Sequence, residues 1–163
     1  MTEADGRLCL HRERVRAEWL DYNDHLNVAY FMLVFDHASE ALMEHLGLDE
    51  TSARERASSW VVLEAHLGFA RELRGGDPLR VTTQVLGANH KRLHLMHFLY
   101  QDAAGYLAAT CELMLMHVDL ARRRSAPFPV AVSECVQALA ATHASLPYPP
   151  QAGRRIALDP RPQ

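Results

Sequence analysis

Only one segment of this chain, Val28 to Leu46, joins a helical period to real length, and the four segments that follow it carry no such period. Phe31, Val34, Phe35, Ala38, Ala41, Leu42 and His45 recur at three- and four-residue steps, the pattern of a helix with one buried face. Gly47 can take the left-handed conformation just past the helix end. A polar connection, Asp49 to Ala57, leads to extended runs over Ser58 to Leu73, Leu79 to Leu86, Arg92 to Tyr100 and Tyr106 to Asp119. In the first of these Leu63, Ala65, Leu67 and Phe69 alternate with Glu64, His66 and Gly68. Arg74-Gly75-Gly76-Asp77-Pro78 closes the first run, and Gly87-Ala88-Asn89 and Gln101-Asp102-Ala103-Ala104-Gly105 separate the other three, which connections this short predict to be consecutive antiparallel strands.

Before the helix, Leu8 to Trp19 alternates loosely and reads as a first strand. After the last run come a basic turn, Arg122 to Arg124, and a short amphipathic helix, Val130 to His143. The order predicts an α+β fold in which one long helix lies against an antiparallel sheet of about five strands, with a short C-terminal helix. The run from Tyr106 to Asp119 is nearly all apolar apart from Glu112, and one helix cannot cover both faces of such a sheet, so self-association is expected. A length of 163 residues suits a single domain, taken as 1–146. From Pro147 onward, five prolines with Gly153, Arg154 and Arg155 make 147–163 a Pro/Arg-rich tail that is not expected to pack.

No apolar run is long enough to cross a bilayer, and the N-terminal MTEADGRLCLHRER lacks the apolar stretch of a signal peptide, which predicts a cytoplasmic protein without a membrane partner. A net charge of −3 argues against nucleic acid, although Lys91 is the only lysine beside sixteen arginines. Cys9, Cys111 and Cys135 are too scattered for a disulfide framework or a paired-cysteine metal site and read as core thiols. His90, His94 and His97 have no acidic or thiol partner at a useful spacing, and His94 and His97 point to opposite faces of a strand, so no metal is expected there. His66 and His117 read as satisfied strand residues.

The chemistry concentrates where Asp21-Tyr22-Asn23-Asp24-His25-Leu26-Asn27 runs into the long helix. A helix start carries unpaired N–H groups and partial positive charge, so it can hold an oxygen that becomes negative during a reaction. The backbone N–H groups of Leu26, Asn27 and Val28 are the candidate donors. The same residues also suit a plain capping turn, with Asp24 or Asn27 as the cap. Glu64, on a strand with apolar neighbours, is a second candidate carboxylate; a salt bridge to Arg71 at the rim is the alternative. Glu112 raises the same question.

The element order, together with Asp21-x-Asn23-x-His25-x-Asn27 and Tyr30 at the helix start, resembles the hotdog-fold thioesterases of the 4-hydroxybenzoyl-CoA thioesterase type over Leu8 to Pro129. EWLDYNDH, VVLEAHLGFARELRGGD, VLGANHKRLHLMH and MLMHVDLARRRSAPFP are most similar to the betainyl-CoA thioesterases of carnitine breakdown. The resemblance implies a long helix wrapped by a curved sheet, a homodimer or dimer of dimers with sites at the subunit boundary, and hydrolysis of a small acyl-CoA without a cofactor, betainyl-CoA being one such substrate.

Members of this family usually carry a catalytic aspartate where Asn23 stands, and an amide cannot take a proton. Plant-type acyl-carrier thioesterases are similar here, with asparagine and histidine at the positions of Asn23 and His25. That likeness implies Asn23 as an orienting group, His25 as a base, and Asp21 as its partner or a base itself. Glu64, from its place on an apolar strand, is the further candidate for a catalytic carboxylate. Lys91 and Arg92, or Arg122 to Arg124, are candidate partners for the coenzyme's phosphates. Trp19, Tyr22, Tyr30 and Trp60 could face a quaternary ammonium, and core packing is their alternative role. Two other functions fit the same resemblance. One is a dehydratase acting on a hydroxyacyl thioester. The other is a non-catalytic acyl-CoA-binding subunit, suggested by Asn23.

Overall fold

The computed structural model describes residues 2, 3 and 5–158. In chain order the elements are β1 (Leu8–Arg14), a 3-10 turn (Ala17–Trp19), α1 (Val28–His45), α2 (Glu50–Glu55), β2 (Ser58–Phe69), β3 (Pro78–Ala88), β4 (Arg92–Gln101), β5 (Tyr106–Asp119), β6 (Arg124–Ser125) and α3 (Val130–His143). The sheet is antiparallel in the order β1-β3-β4-β5-β2, with the two-residue β6 paired to β5. A long helix against a sheet of five principal strands, closed by a short C-terminal helix, is the hotdog arrangement.

Helix α1 starts where Asn27 caps it, the side-chain Oδ1 accepting from the Ala29 N–H at 3.0 Å. It ends before Gly47, whose φ of +80° needs a residue without Cβ. Phe31, Val34, Phe35, Ala38, Ser39 and Leu42 form its buried face. His45, expected on that face, is exposed because the stripe drifts as 3.6 residues per turn accumulate. Ser39 is buried in compensation, and its reason is His97. The Ser39 hydroxyl donates to Phe35 O (3.0 Å) and lies 3.1 Å from His97 Nε2, while Thr83 Oγ1 lies 2.9 Å from His97 Nδ1. With its own proton used, Ser39 must accept, so Nε2 carries the ring proton and His97 is the neutral tautomer. Burial pushes its pKa down to about 3.

Three segments differ from expectation. The first strand stops at Arg14 because the chain turns at Ala17–Trp19, burying Trp19. The polar connection contains α2. The third is the run read as Ser58 to Leu73, whose strand β2 ends at Phe69. At the edge of the sheet β3 outruns β1: Leu8 is paired with Thr83, and beyond it the Val85 N–H donates to His143 Nδ1 at 2.8 Å. Helix α3 therefore closes that edge with a neutral histidine whose pKa is lowered by burial first and by Arg7 as well.

The proline-rich segment also packs. Gln84 Nε2 donates to Pro147 O (3.1 Å), Pro149 is buried, and the Gly153 N–H donates to Glu112 Oε2 (2.7 Å). Proline has no N–H to leave unpaired and a fixed φ, which lowers the cost of laying an extended chain on a sheet. Residues 159–163 of the tail lie outside the described ones. Cys9 and Cys111 are buried as expected, whereas Cys135 is exposed on α3. No helix among the described residues is long and apolar enough to cross a membrane.

Candidate active site

The polar motif is a closed loop pinned to the β2–β3 connection. The Leu26 N–H donates to Leu73 O (2.8 Å), the Asn27 N–H to Trp19 O (2.9 Å), and the Asp21 N–H to His25 O (2.8 Å). Asp24 adopts φ +60°, a conformation that a short polar residue tolerates. Inside the loop, Asp21 Oδ1 accepts from the backbone N–H groups of Asn23 (2.8 Å) and His25 (3.2 Å). The Asn23 backbone bond is the main reason the Asp21 carboxyl sits below the usual carboxylate range. Asp21 is thus a poor proton acceptor and a good loop tie. It does not meet the His25 ring, whose Nε2 lies 3.3 Å from Glu72 Oε2.

Of the three expected oxyanion donors, Leu26 and Asn27 are already paired. Val28, the first residue of α1, keeps an N–H with no partner among the described residues, and its side chain is exposed. Val28 opens onto a shallow cleft of about 400 Å³ lined by Asp21, Leu26, Phe31, Phe69, Arg71 and Glu72 among others. Phe31 and Phe69 form its apolar floor, their rings edge to face at 5.2 Å. Arg71 does not pair with Glu64; its guanidinium stacks over Tyr106 at 4.0 Å, and the Tyr106 hydroxyl donates to Glu72 O.

Residues 15–138 match the thioesterase-like superfamily. The chain belongs to that superfamily. Fold and family together make it a thioester hydrolase. It is 44% identical to the betainyl-CoA thioesterase of Pseudomonas aeruginosa, over 94% of this chain and 96% of that one. It is 33% identical to the L-carnitine dehydrogenase/betainyl-CoA thioesterase of Rhizobium meliloti over 94% of this chain, a match that spans 31% of that longer protein. A Staphylococcus aureus protein solved in complex with CoA superimposes with a TM-score of 0.87 at 28% identity, covering 94% of this chain and 97% of the other.

Elsewhere in this thioesterase the sequence-named residues are dispersed. Glu64 does not lie with the motif. It sits with His66, His94, Glu112, Gly153 and Arg154 around a hollow of about 330 Å³. His97 turns to α1 through Ser39, so His94, three residues earlier on the strand, faces away from the helix, and Glu64 shares the hollow on that side. Contrary to expectation His94 has an acidic partner, Glu112 Oε1 at 2.7 Å. The four aromatic residues do not form one cage within a chain. Trp19 stacks on Tyr30 (5.7 Å), Trp60 packs on Phe128 (5.0 Å), and Tyr22 is 95% exposed.

Lys91 Nζ donates to Ser125 Oγ (3.1 Å), and exposed Arg92 is paired in register with Met116. Trp60 is paired with His117, so these residues share one end of the sheet, whereas Phe69 is paired with Ala109 at the other. Trp60 and Phe69 are nine residues apart on β2, a span of about 30 Å along a strand.

The residues that sequence reasoning missed are Glu72, Arg71 and Phe69. They follow a strand whose end only the structure brings against the motif, and only the run FARELRGGD hinted at them. One group of metal-ligating side chains, His11, Glu13 and His37, also went unnoticed. None of the three lines the cleft at Val28.

Proposed function

We propose that this chain is an acyl-CoA thioesterase that hydrolyses betainyl-CoA or a closely similar small acyl-CoA. The observation that carries the reading is the unpaired Val28 N–H at the start of α1, opening onto the cleft beside the His25–Glu72 pair. The thioester carbonyl oxygen accepts a hydrogen bond from Val28, a contact that strengthens as the oxygen becomes negative. His25, oriented by Glu72, takes a proton from water as the water oxygen bonds to the carbonyl carbon. The C–S bond then breaks and coenzyme A leaves as a thiolate, which needs little acid assistance. Asn23 and Asp21 hold the loop and the water rather than accept the proton.

The same reading makes the protein a homodimer through β2. Among the described residues strand β2 has β5 as its single neighbour, and Val61, Val62, Leu63 and Phe69 are 37, 45, 46 and 52% exposed on one chain. Two-fold pairing of these edges runs the strands antiparallel and lays the start of one β2 beside the end of the other. The partner's Trp60, Lys91 and Arg92 then approach the motif end, supplying an aromatic face and the phosphate-binding cations that a single chain keeps at its far end.

Betainyl specificity rests on the identity to the Pseudomonas aeruginosa enzyme and on the chemistry available. A quaternary ammonium has no N–H to donate and is held by aromatic faces, about 0.5–1 kcal/mol per exposed contact. Thiol release from betainyl-CoA is compared with release from 3,3-dimethylbutyryl-CoA, its neutral near-isostere. Higher kcat/KM on the cation supports the reading, and equal or better efficiency on the neutral compound rejects cation recognition. Absence of thiol release across an acyl-CoA panel rejects the hydrolase itself.

A further inference from the structure

His11 and Glu13 stand two residues apart on β1 and leave the strand on one face, and His37 meets them from the middle of α1. His11 Nε2 lies 2.8 Å, and His37 Nδ1 3.0 Å, from the same oxygen, Glu13 Oε1. One ligand atom from each residue falls within 4.8 Å of the others, and the side chains are 19, 12 and 28% exposed. The two imidazoles meet edge to face at 5.7 Å, and Trp19 packs 6.4 Å from His37. His11 and His37 also line a cleft of about 890 Å³ whose wall includes Glu40, Glu44 and Trp60.

We propose that His11, Glu13 and His37 form a binding site for a divalent transition-metal ion of the zinc class, open to this cleft. Two imidazoles and one carboxylate are a ligand set that such ions prefer, whereas calcium and magnesium ask for oxygen alone. Bonds of about 2.0–2.1 Å in a tetrahedral site put ligand atoms roughly 3.3 Å apart. The observed separations of 2.8 and 3.0 Å need to open by a few tenths of an ångström, within the reach of small side-chain rotations.

Two core elements hold the set in place: β1 is in register with β3 through His11 opposite Val81 and Glu13 opposite Leu79, and α1 is packed on the sheet. An imidazole binds a metal through a ring nitrogen that carries no proton, which here is Nε2 of His11 and Nδ1 of His37. Glu40 lies three residues beyond His37 on the same helix face and lines the same cleft as His11 and His37. His37 is nine residues past Val28, about 14 Å along the helix of one chain, and the proposal rests on its own ligand set and does not depend on the hydrolytic assignment.

The test uses tag-free protein, stripped with a chelator, dialysed and titrated calorimetrically with Zn²⁺ alone. One ion per chain is expected, with a dissociation constant in the micromolar range or tighter and a raised unfolding midpoint. His37→Ala and Glu13→Gln each weaken binding by roughly a hundredfold. His94→Ala, which breaks the separate His94–Glu112 pair, leaves it unchanged. Binding that does not saturate below about 100 μM, or an affinity that His37→Ala leaves intact, overturns the proposal. Should the variants unfold, Co²⁺ added to the wild-type chain decides instead: intense tetrahedral absorption bands support the site, and a spectrum like that of aqueous Co²⁺ rejects it.

Discussion

Asp21 Oδ1 accepts the backbone hydrogen of Asn23 at 2.8 Å, which makes the aspartate of this motif a tie that shapes the loop. Asparagine in its place keeps an oxygen for that bond. Asp21→Asn is therefore expected to retain the acid limb of the kcat/KM pH profile, with turnover lowered about tenfold or less, whereas Asp21→Ala loses more. Disappearance of the acid limb in Asp21→Asn would make Asp21 the base.

His25 is the group expected to carry the proton. His25→Ala lowers kcat by about a hundredfold or more, while Glu72→Gln, which keeps the size of the group and loses its charge, costs about tenfold. Single-turnover measurement of thiol release checks both. Full turnover in His25→Ala would sink the assignment.

The β2 edge supports a prediction on assembly. Val62→Asp or Leu63→Arg sets like charges against each other across a two-fold strand pair and should give a monomer of 18.4 kDa by light scattering, with most activity lost. A monomer that keeps wild-type activity would show that each chain holds a complete site.

Stability should fall in mild acid. His97, held down to about 3, and His143, lowered by burial, are neutral in the folded chain. The unfolded chain protonates them near pH 6.5, and so binds more protons below that point. Their contribution is fully present above pH 6.5. For His97 it is lost as pH falls toward 3, by about 1.4 kcal/mol per pH unit while the difference lasts, and His143 contributes in the same direction. Urea unfolding at pH 7.5 and 5 measures this, and His97→Gln should reduce the slope. Greater stability at pH 5 would contradict the neutral tautomer.

The thiols provide a check on the packing. Burial pushes Cys111 up to about 12 and raises Cys9, while Cys135 is exposed. A maleimide should label one site in the native protein, Cys135, and all three sites after denaturation. Labelling of Cys111 in the folded chain would show that β5 is open.

Local signals in the sequence determined much of this protein. The apolar period from Phe31 to Leu42 specifies α1, since a side chain every three or four residues can share one face only on a helix. The runs that became β3, β4 and β5 and the short turns between them specify antiparallel neighbours, whereas the pairing of β2 with β5 follows from no local signal, and Val130–His143 emerges with the bounds read from its period. The motif at the helix start was equally legible, because its seven residues are contiguous. The tertiary structure decided everything that depends on contacts distant in the chain. Leu73 takes the N–H of Leu26, leaving Val28 as the free donor; Glu72 meets His25; Ser39 and Thr83 keep His97 neutral; Glu64 falls on the side away from α1; and Glu13 gathers His11 and His37. A periodic pattern reports which face of an element is buried. It does not report which atom on a different element completes a given hydrogen bond, because that follows from strand register and from where each strand ends.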